Sequence, residues 1–236
     1  MTNDEIQVTT SGRGNSMLSF WTYPVVWMVR GAFFVSCLAM LHWAAGHTTS
    51  GKVLMEKGAS HSPVDNNHIT TSLHEAAVNG HVSVIETLLE SGANASLPCR
   101  LGLTALHHAS WTGHVDVVQV LLGQDGVDVN AKGPVGYTAL HHAAWFDHVD
   151  VVKALLGHDG VDANAELIGG GTPLNLAAQK GHLDIVTTLL GHDGVDVNAK
   201  DSSGKTPLDV AQSGYFTDVE RALIAAGAVT SGSDEL

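Results

Sequence analysis

Across most of this 236-residue chain, apolar residues come as paired short bursts that return at a fixed interval. After Thr104, the residues Leu106, Ala109 and Ser110 fall at i, i+3 and i+4. After Gly113, the residues Val117, Val118, Leu121 and Leu122 do the same. The spacing predicts two short helices with one apolar face each, neither long enough to be stable alone. The first burst opens on Thr71, Thr104, Thr138, Thr172 and Thr206, at spacings of 33, 34, 34 and 34. The second follows from Gly80, Gly113, Asp147 and Gly181, with a degraded version from Tyr215. A period of this size marks stacked repeats, in which each unit buries its apolar face only against its neighbours.

Alanine at positions 76, 109, 143, 177 and 211 keeps the first helix thin, so that helices of adjacent copies can approach closely. Gly80, Gly113 and Gly181 stand where that helix ends, and a left-handed cap is expected there. Asp147 replaces glycine in the third copy, and Asp tolerates that conformation better than most residues. Between copies lies a third piece, GQDGVDVNAK from Gly123 with relatives from Gly157 and Gly191, whose Gly, Asp and Asn content predicts a turn or hairpin.

The succession T-[AP]-L-H-x-A-A, then G-H, then V-V-x-x-L-L, then a Gly-Asp-Asn turn resembles the ankyrin repeat, over about residues 66–228. Its five copies lie near 68–100, 101–134, 135–168, 169–202 and 203–228. Copies opening at Thr104, Thr138 and Thr172 carry one extra residue in the loop after the Leu pair, which reads as a longer finger turn. The resemblance implies an all-α, ankyrin-repeat solenoid, with a helix-turn-helix and a hairpin loop per repeat. It implies a monomeric scaffold or adaptor that binds a protein partner through its concave helix face and hairpin fingers. It also implies that His74, His107 and His141 bond neighbouring backbone, and that His81, His114, His148 and His182 are structural rather than metal ligands.

Trp111 and Trp145 stand 34 residues apart, hence at one place in adjacent copies, with Phe146 after the second and Tyr137 before Thr138. In the family's pattern these positions are variable and partly exposed. Two stacked tryptophans there would make an aromatic patch of the kind that anchors interfaces; packing between repeats, or cover by the chain's own N-terminal segment, is the competing use. Register adds Arg100, Leu101, Leu103, His108, Val135 and His142 as contact candidates. From the later copies it adds Ile168, Gln179, Lys180, Ser202, Ser203 and Lys205.

Ahead of the repeats, residues 1–16 are polar and expected to be a disordered tail, and residues 17–46 are strongly apolar but broken by Pro24 and Arg30. Three readings of the apolar segment stay open. A transmembrane helix over 25–45 has the length, at a cost of roughly 2.5 kcal/mol for Arg30 near the centre. A signal peptide would use 31–43 as its apolar region and Ala44-Ala45-Gly46 as its cleavage site. An amphipathic element would cap the first repeat. Residues 47–65 read as a linker and 229–236 as a polar tail, which ends in Ser233-Asp234-Glu235-Leu236, similar to the ER-retrieval tetrapeptide. With a signal sequence this would make an ER-lumenal binding protein, and Asn94-Ala95-Ser96 would be a usable glycosylation sequon. Ankyrin repeats imply the other placement, intracellular, either cytoplasmic or membrane-anchored with cytosolic repeats.

Composition narrows the partner. The formal charge of -13 opposes nucleic acid, whose backbone is held by Lys and Arg. The repeats carry 18 acidic against 7 basic side chains, with Asp125, Asp128, Asp159, Asp162, Asp193 and Asp196 in the turns. A basic partner surface would be steered toward them, although acidic turns also serve solubility. Cys37 and Cys99 make no disulfide framework or thiolate metal site. Enzyme motifs fail: Val78 stands where H-E-x-x-H needs its second ligand, Val53 replaces the P-loop hydroxyl after Lys52, and Ala199 stands where a P-loop ending at Lys205 needs glycine. No catalytic role and no cofactor are expected. Two functions remain: a protein-binding scaffold, or a subunit of a membrane assembly with the repeats as its docking arm.

Overall fold

A computed structural model describes residues 72–232. They form five helix pairs in succession: α1 (Ser72–Val78) with α2 (Val82–Glu90), α3 (Ala105–Thr112) with α4 (Val115–Leu122), and α5 (Ala139–Trp145) with α6 (Val149–Leu156). The last two are α7 (Pro173–Lys180) with α8 (Leu183–Leu190) and α9 (Pro207–Ser213) with α10 (Thr217–Ala225). The described chain is all-α, with no strand among the described residues.

The first helices pack in order, α1 on α3, α5, α7 and α9, and the second helices form a parallel row behind them. Ala76, Ala109, Ala143, Ala177 and Ala211 are all fully buried, so the first row stacks on small side chains. Ile85, Leu88, Leu121, Leu155, Leu189 and Leu223 fill the space between the rows. Burying such a side chain stabilises by about 1.5–3 kcal/mol, and no single repeat has enough of them to fold alone.

Each first helix from the second repeat on starts at a threonine in extended conformation, Thr104, Thr138, Thr172 or Thr206, closing a capping box with the third helical residue. Gly113 and Gly181 end α3 and α7 at φ 81° and 76°. Asp147 takes the same left-handed conformation at φ 64°, and Tyr215 does so in the last copy at φ 58°. The glycine serves a second purpose. A Cβ on Gly113 would lie 2.5 Å from Nδ1 of His148 in the following repeat. That imidazole donates from Nε2 to the carbonyl of Trp111 at 2.9 Å, as His114 does to Val78 at 3.0 Å and His182 to Trp145 at 3.2 Å.

The fingers are hairpin loops, with no strand among the described residues. Each closes on two backbone bonds: Cys99 N–H to Leu103 O and Gly133 to Tyr137 (both 2.7 Å), Leu167 to Gly171 and Asp201 to Lys205 (both 3.0 Å), with a return bond inside each turn from Gly102 to Cys99 O, Gly136 to Gly133 O, Gly170 to Leu167 O and Gly204 to Asp201 O. Neighbouring fingers are tied together where Ile168 N–H meets Val135 O at 2.9 Å and Ser202 N–H meets Gly169 O at 2.8 Å. The extra residue of the 34-residue copies does not lengthen them. Asn94 and Asp128 each accept from the backbone two residues on, and each lies ten residues before its capping threonine, so the finger length is constant. The insertion falls earlier, in the turn just after α4, α6 and α8. An asparagine ladder joins these loops: Asn130 donates to Gly160 O and accepts from Asp162 N–H, and Asn164 does the same with Gly194 and Asp196.

Among the described residues no helix is long and apolar enough to cross a membrane. The polar tail 1–16, the apolar segment 17–46 with its span over 25–45, the linker 47–65 and the terminal tetrapeptide 233–236 all lie outside the described residues.

Gly126 has φ 79° and open space where a Cβ would stand, whereas Gly113 has both a positive φ and the His148 ring. Gly126→Ala is expected to cost about 1–2 kcal/mol from backbone strain alone. Gly113→Ala should cost clearly more, because it also displaces His148 from the Trp111 carbonyl. Urea unfolding of the two variants checks this, and equal losses would contradict the packing argument.

Candidate functional site

The first helices present three parallel columns of side chains. One holds Glu75, His108, His142, Leu176 and Val210; the next holds Val78, Trp111, Trp145, Gln179 and Ser213; the third holds Asn79, Thr112, Phe146, Lys180 and Gly214. The middle repeats fill them with rings. Tyr137 stacks on His142 at 5.1 Å between centroids, His142 on Trp111 at 5.9 Å, Trp111 on Phe146 at 5.8 Å, and Phe146 on His148 at 6.5 Å. This run crosses from the third repeat to the second and back. Trp111 is 44% exposed and Phe146 42% exposed, so rings that stack on one another within the strip still present apolar surface to solvent.

The two tryptophans do not stack on each other, contrary to the expectation from their spacing. Trp111 takes Phe146 and His142, whereas the Trp145 ring lies under the Lys180 ammonium, 3.8 Å from its centroid. That cation–π contact holds Lys180 across the groove and keeps part of the Trp145 face covered. Gln179, Arg100 and Lys205 are exposed. So are Leu101, Val135 and Ile168 on the first three fingers. Ser202 and Ser203 are exposed at the fourth finger. Leu103 and His108 are buried at 8% and 7% exposure, so they support the surface rather than present it. Nε2 of His108 lies 3.9 Å from the free, buried thiol of Cys99.

Beneath the strip, a row of imidazoles joins the repeats. The N–H of Thr104 donates to Nδ1 of His107 at 3.1 Å, and the Thr104 hydroxyl lies 2.8 Å from the same nitrogen. The proton is therefore on Nε2, which donates to the carbonyl of Tyr137 in the next finger at 3.1 Å. His141 repeats the arrangement with Thr138 and the carbonyl of Gly171 at 3.2 Å, and His74 reaches Leu103 O at 3.1 Å. These nitrogens are committed to backbone. Burial pushes His74 down to about 4, helped by the neighbouring His108, and burial pushes His141 down to about 4. His142 is pushed lower, to about 3, by burial and then by the surrounding imidazoles. His107 and His108 are lowered for the same first reason.

The geometry agrees with comparisons to known proteins. A family model described as "Ankyrin repeats (3 copies)" matches residues 41–133 and 73–167, and one described as "Ankyrin repeats (many copies)" matches residues 158–211. The chain belongs to the ankyrin-repeat family. Ankyrin repeats are in general protein–protein interaction modules without catalytic chemistry. No curated protein matches the chain.

The match begins ahead of residue 66, the start of the repeats by the threonine count. Leu41-His42-Trp43-Ala44-Ala45 carries the L-H-x-A-A element 32 positions before Leu73, with Gly46-His47 five residues after its leucine where other copies place Gly-His at seven. A count led by threonine passes over it, because Ala39 stands two residues before Leu41. The stacking role of His142 escapes sequence reasoning for another reason. Register separates the backbone-bonded imidazole at 141 from the contact candidate at 142, but no spacing encodes the placement of His142 against the rings of Tyr137 and Trp111.

An imidazole that is neutral in the fold and titrates near 6.5 when unfolded binds more protons in the unfolded state at acid pH. The stability tied to these histidines is thus complete above about pH 6.5 and is lost as pH falls toward 4, by on the order of 2 kcal/mol for each of His74 and His141. Thermal unfolding followed by circular dichroism should show the melting temperature falling steadily between pH 6.5 and 4.5. The fall should be shallower in His141→Asn, and a flat profile would refute the buried-neutral assignment.

Proposed function

We propose that this protein is a non-catalytic scaffold or adaptor that holds a partner protein against the concave face of its first helices. The observation that carries this reading is the ring strip Tyr137, His142, Trp111 and Phe146, half-exposed on a rigid stack. Large rings held in place by their neighbours lose little conformational entropy on binding, which is why aromatic anchors dominate interface energetics. The fingers extend the surface with Leu101, Val135 and Ile168, the last 80% exposed. Exposed apolar side chains gathered on one side of a domain are a feature of interaction surfaces. The described residues contain 18 acidic against 7 basic side chains, which favours a partner with a basic surface and speeds its approach. The membrane-assembly and ER-lumenal readings rest on residues 25–45 and 233–236, outside the described residues.

In the double variant Trp111→Ala/Phe146→Ala the helices should keep their circular dichroism, because neither ring lies between the helix rows. Partners recovered by cross-linking to the wild-type chain should bind this variant at least about 30-fold more weakly, the loss of roughly 2 kcal/mol expected of an anchor pair. Their binding to the wild type should weaken as salt is raised. Partners that bind the variant with unchanged affinity would place the interface elsewhere.

A further inference from the structure

The fourth repeat breaks the pattern of the third in a way that leaves space. Gly171 occupies the position before the capping threonine that Leu103 and Tyr137 occupy in the two preceding copies. In the third copy the Tyr137 ring lies over His142. In the fourth, Leu176 replaces His142, and nothing projects from residue 171 to cover it. Asn175 at the same time replaces the longer imidazole of His141; its Nδ2 turns to Ala199 O at 3.4 Å, whereas His141 reaches Gly171 O. The outcome is a cavity of about 190 Å³ with an apolar floor of Leu167, Leu176 and Val210. Its rim carries Asn175, Gln179 and Asp201, with the backbone of Gly169 and Gly171.

The backbone does not require glycine at either end of this fingertip. Gly170 has φ 71° and needs it, but Gly169 and Gly171 are not in the left-handed region. A Cβ on Gly171 would meet only Leu167 Cδ1 at 3.7 Å, and one on Gly169 only Ser202 Oγ at 3.8 Å, both ordinary contacts. Leucine or tyrosine would be accommodated at 171, as in the neighbouring fingers, and would fill the space. The glycines have one visible effect, which is to keep the cavity open.

We infer that this cavity is a pocket for a single apolar side chain of leucine, methionine or phenylalanine size, presented by a partner segment with basic residues on either side. The inference rests on the reading of the concave face as a partner-binding surface, and it names a specificity element of that surface. At about 190 Å³ the cavity is smaller than the roughly 300–1,000 Å³ of small-molecule sites and suits one side chain. Leu167, Leu176 and Val210 offer apolar surface to that side chain. Asp201 is the one acidic residue of the lining, its Oδ1 held by the N–H groups of Ser203 and Lys205 and by the Ser203 hydroxyl. The described residues carry 18 acidic against 7 basic side chains, and this overall charge favours cations beside the apolar residue over carboxylates.

The test uses the full chain and defined probes. The N-acetyl amides of leucine, phenylalanine, lysine and glutamate, and the capped tripeptides Lys-Leu-Lys and Glu-Leu-Glu, are titrated while methyl resonances of Leu167, Leu176 and Val210 are followed by NMR. The expected result is saturable shifts at these three residues with the leucine and phenylalanine amides and none with lysine or glutamate. Lys-Leu-Lys should bind several-fold more tightly than Glu-Leu-Glu at low salt. Gly171→Tyr and Gly171→Leu, which copy the neighbouring fingers, should weaken the shifts at least tenfold while the melting temperature is held or raised. Absence of saturable shifts in the wild type, or shifts that persist in both filled variants, would overturn the pocket. Equal affinity for the two tripeptides would overturn its charge preference. Trp111→Ala leaves these shifts intact, so failure of the pocket and failure of the aromatic interface are read separately.

Discussion

The stack depends on one recurring side chain that bonds in two directions. At the third position of the first helix, an imidazole accepts from the capping threonine behind it and donates to the finger carbonyl of the next repeat. A helix terminus leaves backbone groups without partners, and a finger closed only on its own backbone needs a further bond to join it to the preceding helix. The imidazole addresses both needs with one neutral group. It must be neutral to do so, because protonation of Nδ1 would turn the acceptor for threonine into a competing donor. Where histidine is absent the bond changes course: Asn175 reaches Ala199, and the Asp209 carboxylate accepts from Thr206 and from Ser231 in the closing loop.

Much of this was legible in the chain because helix pairing between repeats relies on residue types with few substitutes. Buried alanine and the glycine under the next repeat's ring are favoured by sterics, and the capping threonine by its hydrogen bonds, so their 33- and 34-residue spacing survives as pattern. The finer geometry was less legible. The inserted residue was visible as a change of period, but its location in the turn after the second helix depended on which of two loops kept its length, and the bonds of Asn94 and Asp128 decide that. The aromatic residues were identifiable from register, yet their partners were not. Trp111 and Trp145 occupy equivalent positions and still differ, because Phe146 offers Trp111 a ring across the repeat junction while Lys180 offers Trp145 a cation.

The two halves of the groove thus differ in kind. The second and third repeats raise a ridge of rings, whereas the fourth withdraws side chains at 171 and 175 and leaves a hollow beside it. A uniform stack would bind by shape along its whole length. A ridge next to a hollow supplies a register, since a partner that covers the rings has one place to put the side chain that follows.

The bonds that join the repeats also have a consequence for how the chain reaches this structure. The hydrogen bonds from His74, His107, His114, His141, His148 and His182 to the adjoining repeat all span between 29 and 37 residues. The loop that must close before any of them can form is short, and its entropy cost grows only slowly with length. Low contact order of this kind favours rapid folding, with any pair of repeats able to act as the seed and the rest adding to it as a zipper closes.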